Sequence, residues 1–425
     1  MRLSFLGAGR EVGRSAVLLD TEREKMLLDY GLKINEKPTE YPEDVKTRIN
    51  AVLLSHAHLD HCGAIPVVFH HGQNCPVYST GVTKPLSKML MIDSYKISRY
   101  EGEEERFSKR DIVNTINHFK TVKYRKSFRV GKSWVTFFDA GHIPGSALIL
   151  IEKHDKRILY TGDFNLSDTR LIKGADTKIP EVNYLITEST YSDREHPDRD
   201  KEERRMVEAI KETMAKGGVA LIPCFAISRA QELILILDEY DLRENIFIDG
   251  MSKKATNIIN CYPELQTEYD QVEKAMKRLS ATFVTSSSIR GRAIEKPSII
   301  ITTSGMLTGG PITHYIEKLH DKENCSLLLT GFQVPGTEGA NLLKTGRYIH
   351  GDLDLNMKMS VRKFEFSSHA PRSDLFRFVR KVNPEKVFCI HGDNAARFAQ
   401  ELREEYGFDA LAPENGKSYF LNSSG

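Results

Sequence analysis

"LLSHAHLDHCGAIP", residues 53–66, sets three histidines and an aspartate within six positions, directly behind an apolar run. The run "NAVLLSH" is short and rich in Leu and Val, which predicts a buried strand. His56 and His58, two positions apart at its end, then point the same way. On a helix they would not. Asp60 and His61 fall in the turn that follows, placed to face a second centre. Imidazole and carboxylate are the ligand set of zinc at a hydrolytic site. A histidine-rich polar loop is the plain alternative, and the apolar strand in front of the string argues against it. The string supplies half of a metal site, so the other ligands must lie elsewhere in the chain.

The same rule, a His or Asp where an apolar strand ends, finds three more positions. "VTFFDAGHIPG" offers His142, "RILYTGDF" offers Asp163 and "KVFCIHGDN" offers His391. Each has a glycine beside it that admits a close backbone approach. His70, His71, His118, His154, His196, His314, His320 and His350 lie in helical, charged or loop stretches and read as surface or core-edge residues.

A chain of 425 residues exceeds one ordinary core, so two domains are expected. Hydrophobic residues at 40% and charged residues at 28% fit a soluble globular protein. No apolar run reaches the ~18 residues of a membrane span, and the N-terminus does not read as a signal peptide, so no membrane partner and a cytoplasmic location are expected. Six cysteines stand far apart without a C-x-x-C pair, which disfavours a disulfide framework or a zinc finger. The net charge is only +2, from 60 Lys+Arg against 58 Asp+Glu. Attraction to a nucleic acid would therefore have to come from a local basic patch and metal ions, not from the whole-molecule field.

Residues 1–188 read as a β-rich layer with helices outside it, one of them around Thr83 to Ile97. The charged, proline-bearing stretch "REHPDRDKEERR" leads into a helix and marks a domain edge. Over 189–355, strand–turn–helix units follow one another, the pattern of a parallel α/β sheet with ligands at the carboxyl ends of its strands. Residues 356–425, with "RKFEFSSHA" and "KVFCIHGDN", read as a return to the first domain, making the middle one an insertion. "GAGREVG" imitates a dinucleotide fingerprint, but its spacing is G-x-G-x-x-x-G and the next segment reads as a strand, so a hairpin explains it better.

The motifs together resemble the β-CASP branch of the metallo-β-lactamase-fold nucleases. They occur in family order: Asp29 in "LLDYG", the His56–His61 string, His142, Asp163, Glu188 in "ITESTY", His369 in "FEFSSHA" and His391 in "CIHGDN". The resemblance implies an α/β fold, a metallo-β-lactamase αββα sandwich with an inserted parallel α/β β-CASP domain. It also implies two Zn2+ ions. His56, His58 and His142 would hold one, Asp60, His61 and His391 the other, and Asp163 would bridge them. Asp29 would orient the histidine cluster by hydrogen bonding, although a turn-capping aspartate is its plain alternative. His369 would be the general acid, held charged by Glu188. In the inserted domain, Ser304, Gly305 and Met306 in "TTSGMLTGGP" are candidates to hold a phosphate on backbone N–H groups. A turn that merely needs glycine fits them equally well. The same holds for Arg229 in "FAISRAQE" and for Thr337 in "GFQVPGTEG".

Within the resembled family a histidine at the position of His391 goes with RNA-processing members. The expected function is thus a zinc-dependent ribonuclease acting on single-stranded RNA, as endonuclease, 5′–3′ exonuclease or both. "ESTY" and "AGHIPGSA" look more like the cleavage and polyadenylation specificity factor endonuclease than ribonuclease J. Of the family's forms, the chain looks most like the short archaeal one without KH domains. Pro371, directly after "HA", departs from the aspartate often found there. A homodimer through the C-terminal segment is implied by the resemblance alone. Two other readings use the same fold. A small-molecule ester or thioester hydrolase needs neither the insertion nor His369, and a non-catalytic RNA-binding subunit would have eroded metal motifs, whereas all seven ligand positions are intact.

Overall fold

The computed structural model describes residues 1–34 and 38–421. It divides into two compact units, one of residues 1–168, 174–195 and the chain from Ser368 onward, the other of Thr169–Lys173 and His196–Ser367.

Two seven-stranded sheets build the first unit. One runs, edge to edge, Ser418–Phe420, Arg2–Gly7, Ala16–Asp20, Lys25–Leu28, Ala51–Leu53, Val77–Ser79 and Phe119–Thr121. The other runs Asp409–Leu411, Lys386–Ile390, Tyr184–Glu188, Lys156–Tyr160, Ala147–Lys153, Ser133–Asp139 and Phe128–Val130. Strand side chains alternate between faces. Val17, Leu19, Met26 and Leu28 of the first sheet thus share a core with Val135, Phe137, Ile149 and Ile151 of the second. The opposite faces are buried as well. Leu18, Leu27 and Val52 pack against helical Val68, Met91 and Ile112, and Leu148, Leu150 and Leu159 pack against helical Leu375, Phe378 and Phe398. Burial on both faces explains why these strands read as continuous apolar runs. The result is the αββα sandwich.

Strand direction gathers the ligand-bearing ends. Lys25–Leu28 and Ala51–Leu53 are parallel, so the segments carrying Asp29 and His56 leave at one edge. Lys156–Tyr160, Tyr184–Glu188 and Lys386–Ile390 are also parallel, which sends Asp163, Glu188 and His391 off one edge of the second sheet. The hairpin expected from "GAGREVG" is present, with Arg2–Gly7 antiparallel to Ala16–Asp20.

The second unit holds a six-stranded sheet of order Thr282–Phe283, Asn245–Ile248, Ser298–Thr302, Val219–Pro223, Ser326–Leu329, Ser360–Lys363, parallel throughout. Helical residues such as Ile234 and Ile316 cover its two faces. Both unit boundaries fall later than the sequence reading set them, at 195/196 and 367/368 instead of 188/189 and 355/356. Ser360–Lys363 pairs with Ser326–Leu329 and completes this sheet, so "RKFEFSSHA" does not return to the sandwich before Ser368. Among the described residues no helix is long and apolar enough to cross a membrane, and all six cysteines are free thiols, five of them buried.

Candidate metal centre

The strand Ala51–Leu53 ends three positions before His56, and the turn expected to carry Asp60 and His61 is a single helical one, Leu59–Cys62. Gly31 explains how that turn is seated: a Cβ there would lie 1.8 Å from the Asp60 carbonyl oxygen. Gly162, at φ +50°, leaves no room for a Cβ beside Ser55 and delivers Asp163 to the same place.

Two overlapping groups of donor atoms result. His56, His58, His142 and Asp163 form one, and Asp60, His61, Asp163 and His391 the other. Asp163 Oδ2 lies 3.5 Å from His56 Nε2, 3.7 Å from His142 Nε2 and 3.3 Å from His61 Nε2, while its Oδ1 lies 3.5 Å from His391 Nδ1. Asp60 Oδ2 is 3.4 Å from His391 Nε2. All of these side chains but His58 and Asp60 are buried.

Outer hydrogen bonds fix the imidazoles. Asp29 is fully buried and accepts from the Ser55 N–H (2.7 Å), the Ser55 hydroxyl (2.6 Å), the Tyr160 hydroxyl (2.7 Å) and His61 Nδ1 (2.7 Å). Since the Ser55 hydroxyl hydrogen is given to Asp29, Ser55 Oγ accepts from His56 Nδ1 at 3.0 Å. His142 Nδ1 donates to the Ser368 carbonyl at 2.8 Å. Each of the three rings therefore turns its Nε2 inward. Asp29 thus bonds His61 directly and reaches His56 through Ser55. Asp29 and His391 both adopt left-handed φ angles, +55° and +51°, a region that Asp and His enter more readily than most non-glycine residues.

This donor set fits a divalent cation. His61 Nε2, Asp163 Oδ1 and both ring nitrogens of His391 are buried without a hydrogen-bond partner, a costly state for polar atoms in a protein interior. His58 Nδ1 lies 3.2 Å from both His56 Nε2 and His142 Nε2, and one imidazole proton cannot serve two lone pairs. Cations at the two donor groups would take up His61 Nε2, Asp163 Oδ1 and one ring nitrogen of His391, and would relieve the crowding at His58 Nδ1. Electrostatics divide the histidines. Burial, with the neighbouring imidazoles, holds His56 and His142 well below their ordinary pKa and lowers His58 too, leaving neutral ligands. Burial acts against protonation of His61 as well, but the Asp163 and Asp60 charges outweigh it and raise that pKa well above the usual range. Burial would lift Asp163, yet His61 and His391 beside it bring its carboxyl well below the ordinary value.

A third group joins Asp163 to Glu188 and His369. Glu188 is buried, accepting from the Phe164 N–H at 2.7 Å through Oε1 and from His369 Nδ1 at 3.0 Å through Oε2. Burial acts to lower the His369 pKa, but the Glu188 and Asp163 charges and the hydrogen bond prevail and raise it to about 9. Its side chain stays partly exposed. Pro371 sits just ahead of the helix Arg372–Val382, bridged to Tyr191.

The second unit carries the remaining candidates. The Ser304 N–H bonds the Gly309 carbonyl at 3.3 Å, and Gly305 packs against the backbone of Cys224 and Phe225. The Gly305 and Met306 carbonyls accept from Gln333 and from the Gly339 N–H. Arg229 is nearly buried and pairs with Glu232 at 2.5 Å. Thr337 caps the helix Glu338–Thr345, donating to the Val334 carbonyl and accepting from the Ala340 N–H. Sequence reasoning assigned no role to Ser55, Tyr160 or Ser368. Their one signal was a polar residue next to a ligand or at the end of an apolar strand.

Three family models match in chain order: a metallo-β-lactamase superfamily domain at residues 18–189, a Beta-Casp domain at 230–342 and a Zn-dependent metallo-hydrolase RNA specificity domain at 354–413. A protein of Methanocaldococcus jannaschii named "Probable RNase MJ4" is 40% identical over 98% of this chain and 99% of its own length. "RNase aCSPSF2" of Saccharolobus solfataricus is 32% identical over 99% of this chain and 85% of its own. "Transcription termination factor FttA" of a Lokiarchaeum species is 35% identical over 93% and 67%. A crystal structure of a protein of unknown function from Enterococcus faecalis shares the fold, with TM-score 0.63 and 15% identity over 99% of both chains. The chain belongs to the metallo-β-lactamase superfamily, in the family that joins a Beta-Casp domain to an RNA specificity domain and includes these archaeal relatives.

Proposed function

We propose that this protein is a metal-dependent ribonuclease that hydrolyses RNA phosphodiester bonds at the His/Asp centre of its first unit. The observation that carries the reading is the pair of donor groups sharing Asp163, with buried atoms of His61, Asp163 and His391 left without a hydrogen-bond partner. The relatives named as ribonucleases support RNA as the substrate.

Two zinc ions are the cofactors we assign. His56, His58 and His142 would hold one, Asp60, His61 and His391 the other, with Asp163 within reach of both groups. When bound, such a pair supplies activation of water near neutral pH and neutralises charge on the phosphate oxygens. The chain's own residues do the rest. Asp29 keeps the His61 ring in its ligating tautomer, and Ser55 and the Ser368 carbonyl do so for His56 and His142. As the phosphorus–oxygen bond breaks, the departing sugar oxygen needs a proton, and His369 is the acid that gives it. Its Nδ1 is occupied by Glu188, so the proton leaves from Nε2. The Glu188 charge keeps the ring protonated at neutral pH.

Metal analysis together with cleavage of end-labelled RNA tests this. The wild type should contain about two zinc ions per chain and cut RNA, whereas His58→Ala should lose metal and cut none. RNA binding without cleavage by the zinc-loaded wild type would overturn the enzymatic reading. Comparing 5′- and 3′-labelled strands separates internal cutting from trimming at the 5′ end.

A further inference from the structure

Between Asp111 and Asp139 the chain contains no Asp or Glu, yet it carries Lys120, Lys123, Arg125, Lys126, Arg129 and Lys132. All six are exposed. In a protein whose net charge is only +2, that is a strong local concentration of one sign. Arg125 pairs with Asp176 at 2.5 Å. The other five have no ion pair with any described residue.

The segment joins two sheet edges of the sandwich. Phe119–Thr121 is the last strand of one sheet and Phe128–Val130 the last strand of the other. It is firmly held. Val122 N–H donates to the Ser79 carbonyl, Arg125 N–H to the Phe137 carbonyl, and the Tyr124 hydroxyl to the Ser146 carbonyl at 2.7 Å. Ser146 closes the loop that carries His142, since its hydroxyl accepts from the His142 N–H at 3.1 Å. Lysines on an edge strand also discourage strand addition, but that role has no use for an exposed aromatic. Trp134, the only tryptophan of the chain, is 46% exposed here. It sits opposite Arg129 across the edge hairpin, with the guanidinium 4.8 Å from the ring centroid.

We propose that the 120–134 strip is a landing surface for single-stranded RNA, its cations following the phosphates and Trp134 offering a stacking face to an unpaired base. Regularly spaced positive charge beside an aromatic ring is how sequence-tolerant single-strand binding is built. The inference rests on the ribonuclease reading and adds to it where the substrate is gathered, outside the metal centre.

The lone tryptophan gives a direct readout. In a His58→Ala background, unlabelled oligouridylate should quench Trp134 emission. The triple substitution Lys123→Gln, Lys126→Gln and Arg129→Gln should flatten the plot of log affinity against log salt by about 2, at ~0.7 for each phosphate of a single strand that is no longer neutralised. With His58 intact, the same triple variant should hydrolyse bis(p-nitrophenyl) phosphate at the parental rate, showing the fold and centre unharmed. An unchanged salt slope in a parent that cuts RNA overturns the strip alone. A parent that hydrolyses the small diester but neither binds nor cuts RNA overturns the ribonuclease reading, and the strip with it. A slope that flattens with polyglutamate and not with RNA assigns the surface to an acidic protein and likewise overturns the proposal.

Discussion

Asp163 in the first unit and Asp249 in the second are both buried aspartates just beyond the carboxyl ends of parallel strands, and they have opposite fates. Asp249 is saturated. Arg290 grips it through two nitrogens at 2.7 and 3.1 Å, the Tyr315 hydroxyl donates at 3.0 Å and the Gly250 N–H at 2.6 Å. Asp163 has imidazoles on every side and an oxygen without a hydrogen bond. A buried carboxylate whose needs the protein meets is a structural fastening. One ringed by imidazole nitrogens and left with an oxygen unbonded is suited to a cation. The contrast teaches that satisfaction, more than burial or residue type, separates a site from a scaffold.

The strongest way to break that contrast is Asp163→Ala. It should abolish metal retention and reduce RNA cleavage to background, as read by metal analysis and a labelled-RNA assay. Retained zinc would mean that Asp163 is a fastening after all.

His369→Ala should cost roughly 10²–10⁴-fold in kcat, the usual worth of a general acid, while metal content stays at the wild-type level. Its partner sharpens the point through pH. His369 is protonated below about 9, so cleavage should fall as pH rises through that value. Glu188→Gln removes the charge that raises this pKa, and the alkaline limb should move to lower pH. A limb left in place would remove Glu188 from the assignment.

Asp29→Asn should weaken zinc affinity by about 10–100-fold, the typical cost of losing an outer-shell carboxylate, as measured by competition with a chelator. The smallest chemical effect belongs to the second unit. Asp249→Ala should destabilise the fold by about 2 kcal/mol through its lost charged hydrogen bonds, visible in denaturant melts, and should leave zinc content unaltered.

Much of the centre was legible because its ligands obey a local rule, a His or Asp where an apolar strand ends. His56, His142, Asp163 and His391 all followed from it, and parallel neighbouring strands gather three of them at common sheet edges. Ser55 and Tyr160 were not legible, since their task is defined by Asp29, which reaches them from 26 and 131 positions away in the chain. The return point of the first unit was misread for a similar reason. "RKFEF" is apolar enough to belong to either sheet, and only its pairing with Ser326–Leu329 decides. Arg229 and Thr337 stayed open in one dimension between ligand contact and local role, and the structure gives both a local partner, Glu232 and the Val334 carbonyl.

The sequence by itself determined the residue types at the centre, their order and the strand ends that present them, because periodicity and turn chemistry are local properties. Only the tertiary structure decided which nitrogen of each ring faces inward, which carboxylate is left unsatisfied and which cations stand in the open. Those are outcomes of long-range hydrogen bonding and burial, and no short stretch of sequence contains both partners.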